Sequence, residues 1–166
     1  FRRFLKRTSL RMRIAKRLFI SFILLLLIAS NIETRVRCLI QMKNYEGNGA
    51  YIIVSLLDEK KEYVKTLQII GEDPEWYNEI DSWWSFFGKA KRKVDGITGA
   101  TLSAGQRRVI TFTINDMPEN YYIRFETAVE ENLYYESEVD VAINEVAKKQ
   151  EYEGTGYIRY LKFIVQ

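Results

Sequence analysis

Histidine is absent from the 166 residues of this chain, and cysteine occurs once. Without histidine, the protein cannot use histidine-based acid–base catalysis, histidine-ligated haem or most kinds of zinc site. A single cysteine, Cys38, excludes an internal disulfide and a thiolate metal cage. Two prolines leave no proline-rich linker. By contrast, 47% of the residues are hydrophobic and 14% are aromatic, which is typical of one globular domain.

Acidic residues are missing from the N-terminal part of the chain, where the first acid is Glu33. Residues 1–17 contain eight basic residues, and the rest contains 17 basic and 22 acidic residues. The pI of 8.9 therefore reflects the N-terminus, while the remainder carries a balance of −5. Because phosphate binding needs basic charge on a folded surface, we expect no nucleic-acid partner.

A short apolar run, residues 18–29, follows the basic segment. It is shorter than the roughly 20 residues of a membrane-spanning helix, and its basic flank is typical of a secretory signal. We therefore expect residues 1–30 to be a signal peptide or an uncleaved inner-membrane anchor, with the rest of the protein in the periplasm. The alternative is a basic amphipathic helix followed by a buried helix.

The body, residues 31–166, is predicted to be mainly β. Period-2 alternation marks a half-buried strand at 34–43, with Cys38 in the core,. Residues 50–57 are apolar on both faces, which predicts a central strand. Further strands are predicted at 63–70, 107–114, 121–130, 134–143 and 157–165,. Seven short strands separated by turns predict an antiparallel immunoglobulin-like β-sandwich, with a small barrel as the alternative.

One segment, residues 74–87, has helical periodicity instead. Asp73 and Pro74 form an N-terminal capping pattern, and Gly88 is the expected C-cap. The helix contains all three tryptophans, and its apolar face consists of Trp76, Ile80, Trp83, Trp84 and Phe87,. Such a stripe predicts a crossover helix that closes one end of the sandwich.

Small and hydroxyl residues are concentrated at 95–105, between this helix and the strand at 107. Since the segment has no histidine or cysteine and only one acid, it is neither a catalytic triad nor a metal site. It also lacks the glycine–lysine pattern of a P-loop. Flanking basic residues are expected to neutralise phosphate or to form a solvated surface. They are Lys89, Lys91, Arg92, Lys93, Arg107 and Arg108.

The segment DGITGAT, starting at Asp95, resembles the flavinylation motif Asp-x-x-Ser/Thr-Gly-Ala-Thr. That motif occurs in subunits of the sodium-pumping NADH:quinone oxidoreductase, in Rnf-type complexes and in related exported FMN-binding domains. The resemblance implies that an ApbE-type flavin transferase, using FAD and a divalent metal, esterifies Thr101 to the phosphate of FMN. The recognition residues would be Asp95, Thr98, Gly99 and Ala100, and Ser103 extends the match.

Residues 34–166 also resemble a class of predicted periplasmic proteins of unknown function. The resemblance lies in GEDPEWYNEIDSWW ahead of DGITGAT, followed by strands. It implies PepSY-type membrane proteins and flavin transferases as partners. We expect an extracytoplasmic redox carrier with covalent FMN, not an enzyme acting alone, and expect Trp76, Trp83 or Trp84 to stack on the flavin.

Two alternatives carry no covalent flavin. One is a cofactor-free immunoglobulin-like interaction module of a cell-envelope complex, with its contact surface on charged strand faces and tyrosines. The tyrosines concerned are Tyr134, Tyr135, Tyr152, Tyr157 and Tyr160. The other is a small-ligand binder with the tryptophan helix as a lid.

Overall fold

A computed structural model describes residues 33–90, 99–115, 118–148 and 150–165, all within one compact unit, Glu33–Gln166. The predictions for residues 1–30 and for Asp95 and Thr98 lie outside the described residues. Eight strands are described: β1 Glu33–Met42, β2 Tyr51–Leu57, β3 Tyr63–Ile70, β4 Arg107–Asn115, β5 Tyr122–Ala128, β6 Tyr134–Ala142, β7 Glu151–Glu153 and β8 Ile158–Val165.

The strands form two four-stranded antiparallel sheets. We call β4-β1-β8-β7 the first sheet and β3-β2-β5-β6 the second sheet. All seven predicted strands are present. The eighth, β7, lies where a loop was expected, since Glu151–Glu153 pairs with β8 as a short edge strand. The protein is therefore mainly β, as predicted.

A single apolar core lies between the sheets, which gives a β-sandwich. It contains alternate residues of β1, such as Val36, Cys38 and Ile40, together with residues of β2 and β5 from the second sheet. Phe125 of β5 meets Phe163 of β8 edge-to-face, with ring centroids 6.2 Å apart. The expectation that Cys38 is a core residue is confirmed.

The predicted single helix at 74–87 is wrong in its extent. The chain forms a 3₁₀ helix, Pro74–Glu79, and then an α-helix, α1, at Asp81–Ala90. Asp73 caps the 3₁₀ helix by accepting a hydrogen bond from the Glu75 amide, and the break comes at Ile80. Gly88 lies inside α1 and is not its C-cap. A Cβ at Gly88 would lie 2.9 Å from the Trp84 ring, so glycine leaves room for that indole.

The helical segment covers the outer face of the second sheet and does not close an end of the sandwich. A second apolar cluster forms there from β2, β3, β5 and the helical residues Tyr77, Ile80 and Trp83. This layer explains why β2 is buried along its whole length: its alternate residues contact the sandwich core on one side and the aromatic layer on the other. The prediction that β2 is central is confirmed. A second 3₁₀ helix, Ile143–Lys148, connects β6 to β7.

Candidate functional site

The described part of the candidate loop, residues 99–106, leads directly into β4 at one end of the sandwich. Its start is fixed by two hydrogen bonds. The Gly71 amide donates to the Gly99 carbonyl at 2.9 Å, and Arg108 Nη1 donates to the Ala100 carbonyl at 2.8 Å. Gly99 has φ +80°, a backbone conformation that favours glycine. The loop is therefore tied to the end of β3 and to the start of β4.

Leu102 anchors the middle of the loop. It forms an isolated antiparallel bridge with Ala50, with N···O distances of 2.8 and 3.0 Å. The Tyr45 hydroxyl donates to the Leu102 carbonyl at 2.7 Å and accepts from the Ala50 amide. The Leu102 side chain is buried in the sandwich core. Leu102 therefore holds the backbone next to Thr101 in place.

The end of the loop is a tight turn. The Gln106 amide donates to the Ser103 carbonyl, and the Gln106 side chain accepts from the Ser103 amide. Gly105 adopts φ +70°, and its amide donates to the Lys43 carbonyl at 2.9 Å. These bonds hold the loop against the segment that follows β1.

Thr101 is half-buried, and its side chain lies over Gly49. A Cβ at Gly49 would come within 2.3 Å of Thr101 Oγ1, so only glycine leaves the threonine its place. The Thr101 hydroxyl makes no hydrogen bond to any residue that the structure describes, although its backbone neighbours are held on both sides. The loop thus presents a hydroxyl at the rim with no described partner.

Four of the six motif residues lie in the described part of the loop. They are Gly99, Ala100, Thr101 and Ser103, of which Ala100 and Ser103 are exposed. Of the flanking basic residues, Arg108 contacts the loop, whereas Arg107 donates to Gln41 Oε1 at 2.9 Å. Positions 91–93 and the Lys89 side chain lie outside the described structure.

The three tryptophans differ in exposure. Trp83 is 0% exposed, stacks on Phe87 with centroids 4.7 Å apart, and donates through Nε1 to Thr66 at 2.9 Å. Its indole is thus enclosed in the aromatic layer. Trp84 is 36% exposed and Trp76 is half-buried. Only Trp84 and Trp76 thus have indole surface open to a ligand.

A buried acidic group, Glu126, was missed by the sequence reasoning. Period-2 alternation puts Arg124 and Glu126 on the side of β5 that faces away from the sandwich core, where charged residues are usually solvated, but Glu126 is 0% exposed,. Its carboxylate accepts hydrogen bonds from Tyr63 at 2.7 Å and from Tyr134 at 2.5 Å. Burial raises the pKa of Glu126 to about 7, against the lowering effect of these hydrogen bonds and of Arg124. The aromatic stripe of the helix could have indicated this burial, because such a stripe must pack against the outer face of a sheet.

Arg124, beside Glu126, forms a bidentate ion pair with Asp140. Its Nε and Nη2 donate to the two carboxylate oxygens of Asp140 at 2.8 and 2.9 Å, and Lys61 donates to the same carboxylate. Burial opposes ionisation of Asp140, but the bonds from Arg124 and Lys61 outweigh it and lower the pKa of Asp140. This paired arrangement is the form in which buried charges are tolerated.

A second buried carboxylate is that of Glu138 in β6. It accepts hydrogen bonds from Thr127 Oγ1 and from the Gly156 amide. Burial raises the pKa of Glu138, while these hydrogen bonds act to lower it. Thr127 lies in β5 and Gly156 lies in the loop before β8, so the carboxylate ties that loop to the second sheet and has a structural role.

The tyrosines expected on a contact surface differ in exposure. Tyr157 is buried, and Tyr134, Tyr135, Tyr152 and Tyr160 are half-buried. Tyr134 donates to Glu126, and Tyr152 donates to the Glu145 carbonyl at 2.7 Å. Tyr157 is therefore enclosed, whereas the other four tyrosines keep part of their surface exposed.

The part of the chain that the structure describes contains no group of three or more histidine, cysteine, aspartate or glutamate side chains placed to hold a metal ion. No helix in the same ranges has both the length and the apolar character needed to cross a membrane.

Comparison with known proteins gives one match. The family described as predicted periplasmic protein (DUF2271) matches residues 33–160, which include every strand except the end of β8. A search among curated proteins finds no match, and neither does a search among solved structures. The match covers both sheets, the aromatic layer and the candidate loop. The chain therefore belongs to the DUF2271 family of predicted periplasmic proteins, which locates it outside the cytoplasm.

Proposed function

We propose that the protein is an extracytoplasmic electron-transfer protein whose FMN is esterified to Thr101. The observation that carries the proposal is the state of the Thr101 side chain. Its hydroxyl lies at the rim of the sandwich without a hydrogen-bond partner among the described residues, while Gly99, Ala100 and Leu102 on either side are held by backbone hydrogen bonds. A threonine that served only to cap the loop would use its hydroxyl on a backbone group.

The surroundings of Thr101 fit a phosphodiester. Gly49 leaves the Thr101 side chain its place, because a Cβ at position 49 would come within 2.3 Å of Oγ1. Arg108, whose guanidinium donates to the carbonyl of Ala100, supplies a positive charge one residue from the acceptor. Arginine pairs well with phosphate because its planar group presents several donors. Thr101 would hold the phosphate covalently, and Arg108 would balance its charge.

Attachment would proceed by phosphoryl transfer from FAD in the active site of the transferase. The Thr101 oxygen forms a bond to the phosphorus on the FMN side of the pyrophosphate, the bridging P–O bond breaks, and AMP leaves. The hydroxyl proton passes to a base of the transferase or to water. Exposed Ala100 and Ser103 let a second protein reach the hydroxyl, and Asp95 would orient it or the metal.

When bound, FMN would supply reversible electron transfer. The chain's own residues would position and shield it. Trp84 and Trp76 have the exposed indole surface needed for stacking on a flavin ring,. Trp83 would support them from below, since it is buried and stacked on Phe87.

The partners belong to the same proposal. An ApbE-type flavin transferase would load the protein, and a PepSY-type or other membrane redox protein would exchange electrons with it. Residues 18–29 would hold the protein at the inner membrane. Covalent attachment would keep the cofactor from diffusing away in a compartment where free flavin is scarce.

The immunoglobulin-like type of the sandwich is also an inference. It is supported by two sets of pairings: β1 pairs with β4, and β2 pairs with β5, which in turn pairs with β6. These correspond to strand B with E, and strand C with F and G, in an immunoglobulin domain. The C-terminal strand β8 occupies the place beside β1 that strand A has in that fold.

The test is flavin loading of the full chain co-expressed with an ApbE-type transferase. Wild-type protein should gain the mass of FMN and should fluoresce after denaturation, because an ester survives unfolding. Thr101→Ala should carry no label, and Thr101→Ser should keep some of it. The matched control is Thr111→Ala, which removes an exposed hydroxyl of β4 outside the motif and should be labelled like wild type. Asp95→Ala should be labelled weakly.

Two results would contradict the proposal in different ways. Label on Thr101→Ala would move the acceptor to Thr98 or Ser103. Wild-type protein that stays unlabelled beside an active transferase would favour the cofactor-free interaction module. The folded state of each variant is checked by its unfolding midpoint, which a rim substitution should change by less than about 0.5 kcal/mol in free energy.

A further inference from the structure

The two sheets of the sandwich carry opposite charge. The four strands of the first sheet contain six basic residues and three acids, Glu33 of β1 and Glu151 and Glu153 of the short edge strand β7. The four strands of the second sheet contain two basic and four acidic residues. The positive charge of the first sheet stands out because the chain after residue 17 has more acids than bases.

The outward side of the first sheet combines this charge with exposed apolar side chains. Since Val36, Cys38 and Ile40 of β1 face the core, the residues between them face outward,. Leu39 lies opposite Val109 of β4, and Arg37 lies opposite Ile164 of β8. Val109 is 44% and Ile164 is 40% exposed.

We call this surface the cationic face. Its centre consists of Leu39, Val109 and Ile164, and its basic residues are Arg35, Arg37, Arg107 and Lys162. Lys162 pairs with Glu151 of the edge strand at 3.5 Å, whereas Arg35 and Arg37 make no ion pair with a described residue. The outer face of the second sheet is instead covered by the aromatic helical layer.

We propose that the cationic face docks on the surface of an anionic phospholipid membrane. An apolar centre with basic residues around it is the pattern by which proteins bind the headgroup region. An open antiparallel sheet presents these side chains in one surface, which suits a bilayer. Each lysine or arginine near an anionic surface strengthens binding about fivefold.

The chain before β1 adds a second argument, which rests on the proposed membrane segment. The apolar run ends at residue 29, and β1 begins at Glu33. Four residues span at most about 14 Å, so a segment held in the membrane would keep the start of β1 near the bilayer. Arg35 and Arg37 lie within the first five residues of that strand, where an anionic surface would attract them most.

The experiment places an environment-sensitive fluorophore on the full chain through single introduced cysteines. Val109→Cys and Ile164→Cys report on the cationic face, and Val64→Cys, at a position 40% exposed on β3 of the second sheet, is the matched control. The native Cys38 is buried, so it does not react in the folded protein. Each labelled protein is added to vesicles of phosphatidylcholine alone or with 30% phosphatidylglycerol.

Emission at 109 and 164 should rise several-fold on the phosphatidylglycerol vesicles, and emission at 64 should not. The rise should disappear in Arg35→Gln/Arg37→Gln and in high salt, which screens exposed charge, but should persist in the control variant Lys65→Gln. An equal rise at 64, or no dependence on phosphatidylglycerol, would overturn the proposal. Sedimentation with neutral vesicles tests the membrane segment separately, so the two failures are distinguishable.

Discussion

Glu126 makes a sharp prediction, because its carboxylate is fully buried between the second sheet and the aromatic layer. Burial raises its pKa from 4.5 to about 7, while Tyr63, Tyr134 and Arg124 act in the opposite direction. In the unfolded chain the group titrates at its ordinary value. The folded protein therefore holds this proton over a pH range in which the unfolded chain has lost it.

The sign of the effect follows from that difference. Below pH 4.5 both states are protonated, and the contribution of Glu126 to stability is fully present. As pH rises through 7 that contribution is lost, because the folded state must accept a buried charge. The rise of the Glu126 pKa from 4.5 to about 7 corresponds to about 3 kcal/mol in the free energy of unfolding,. Roughly 2–3 kcal/mol of this is lost between pH 5 and pH 8.

Glu126→Gln should remove this loss. The amide has a similar shape and keeps an oxygen that accepts from the tyrosine hydroxyls, but it does not ionise. We expect the free energy of unfolding of wild type to fall relative to the variant by about 2–3 kcal/mol between pH 5 and pH 8. The measurement is urea denaturation at both pH values. Since the chain has no histidine, no imidazole titrates in this window.

The matched control is Glu136→Gln, which removes an exposed carboxylate of β6 near Arg124 and should keep the wild-type pH dependence. The reasoning would be refuted if Glu126→Gln retained the wild-type slope. It would also be refuted if the variant were less stable than wild type at pH 8, because the ionised carboxylate would then be the favoured partner of the tyrosines.

Two further predictions concern the second sheet and its cover. Trp83→Ala should lower the free energy of unfolding in urea by about 3–5 kcal/mol, because it empties a fully buried site and removes the hydrogen bond to Thr66,. Trp84→Ala should lower it by less than half of that amount. Equal losses for the two variants would contradict the observed packing. Asp140→Asn should destabilise at neutral pH, and its deficit should shrink as pH falls below 3.8, the ordinary pKa of the group. A deficit that stays constant down to pH 2 would show that the Arg124 pair does not stabilise the fold.

Much of the fold was predictable because the strands follow simple rules. Period-2 alternation identified β1, in which Val36, Cys38 and Ile40 all reach the core. The continuous apolar run at 50–57 correctly predicted a strand buried on both faces. What alternation could not supply was the partner on the second face, because that depends on where the tryptophan segment packs.

The break of the helix at Ile80 shows a different limit. Periodicity from Trp76 to Phe87 fits one helix, yet the chain changes from 3₁₀ to α geometry at Ile80. A tertiary hydrogen bond accompanies the break: the Tyr77 hydroxyl donates to the Gly71 carbonyl at 2.8 Å. Local pattern cannot report a bond that depends on the end of another strand. The interior place of Gly88 likewise follows from the packing of Trp84 over it.

The candidate site shows the same division between local and tertiary information. The motif located the loop between the tryptophan helix and β4. It did not predict that Gly49, more than fifty residues away in the chain, leaves the room that the Thr101 side chain occupies. Nor did it predict that Arg108, among the basic residues around the loop, donates a hydrogen bond to it. If Thr101 is the acceptor, glycine at position 49 is as necessary as the motif itself. A side chain at position 49 would collide with the Thr101 side chain and displace it.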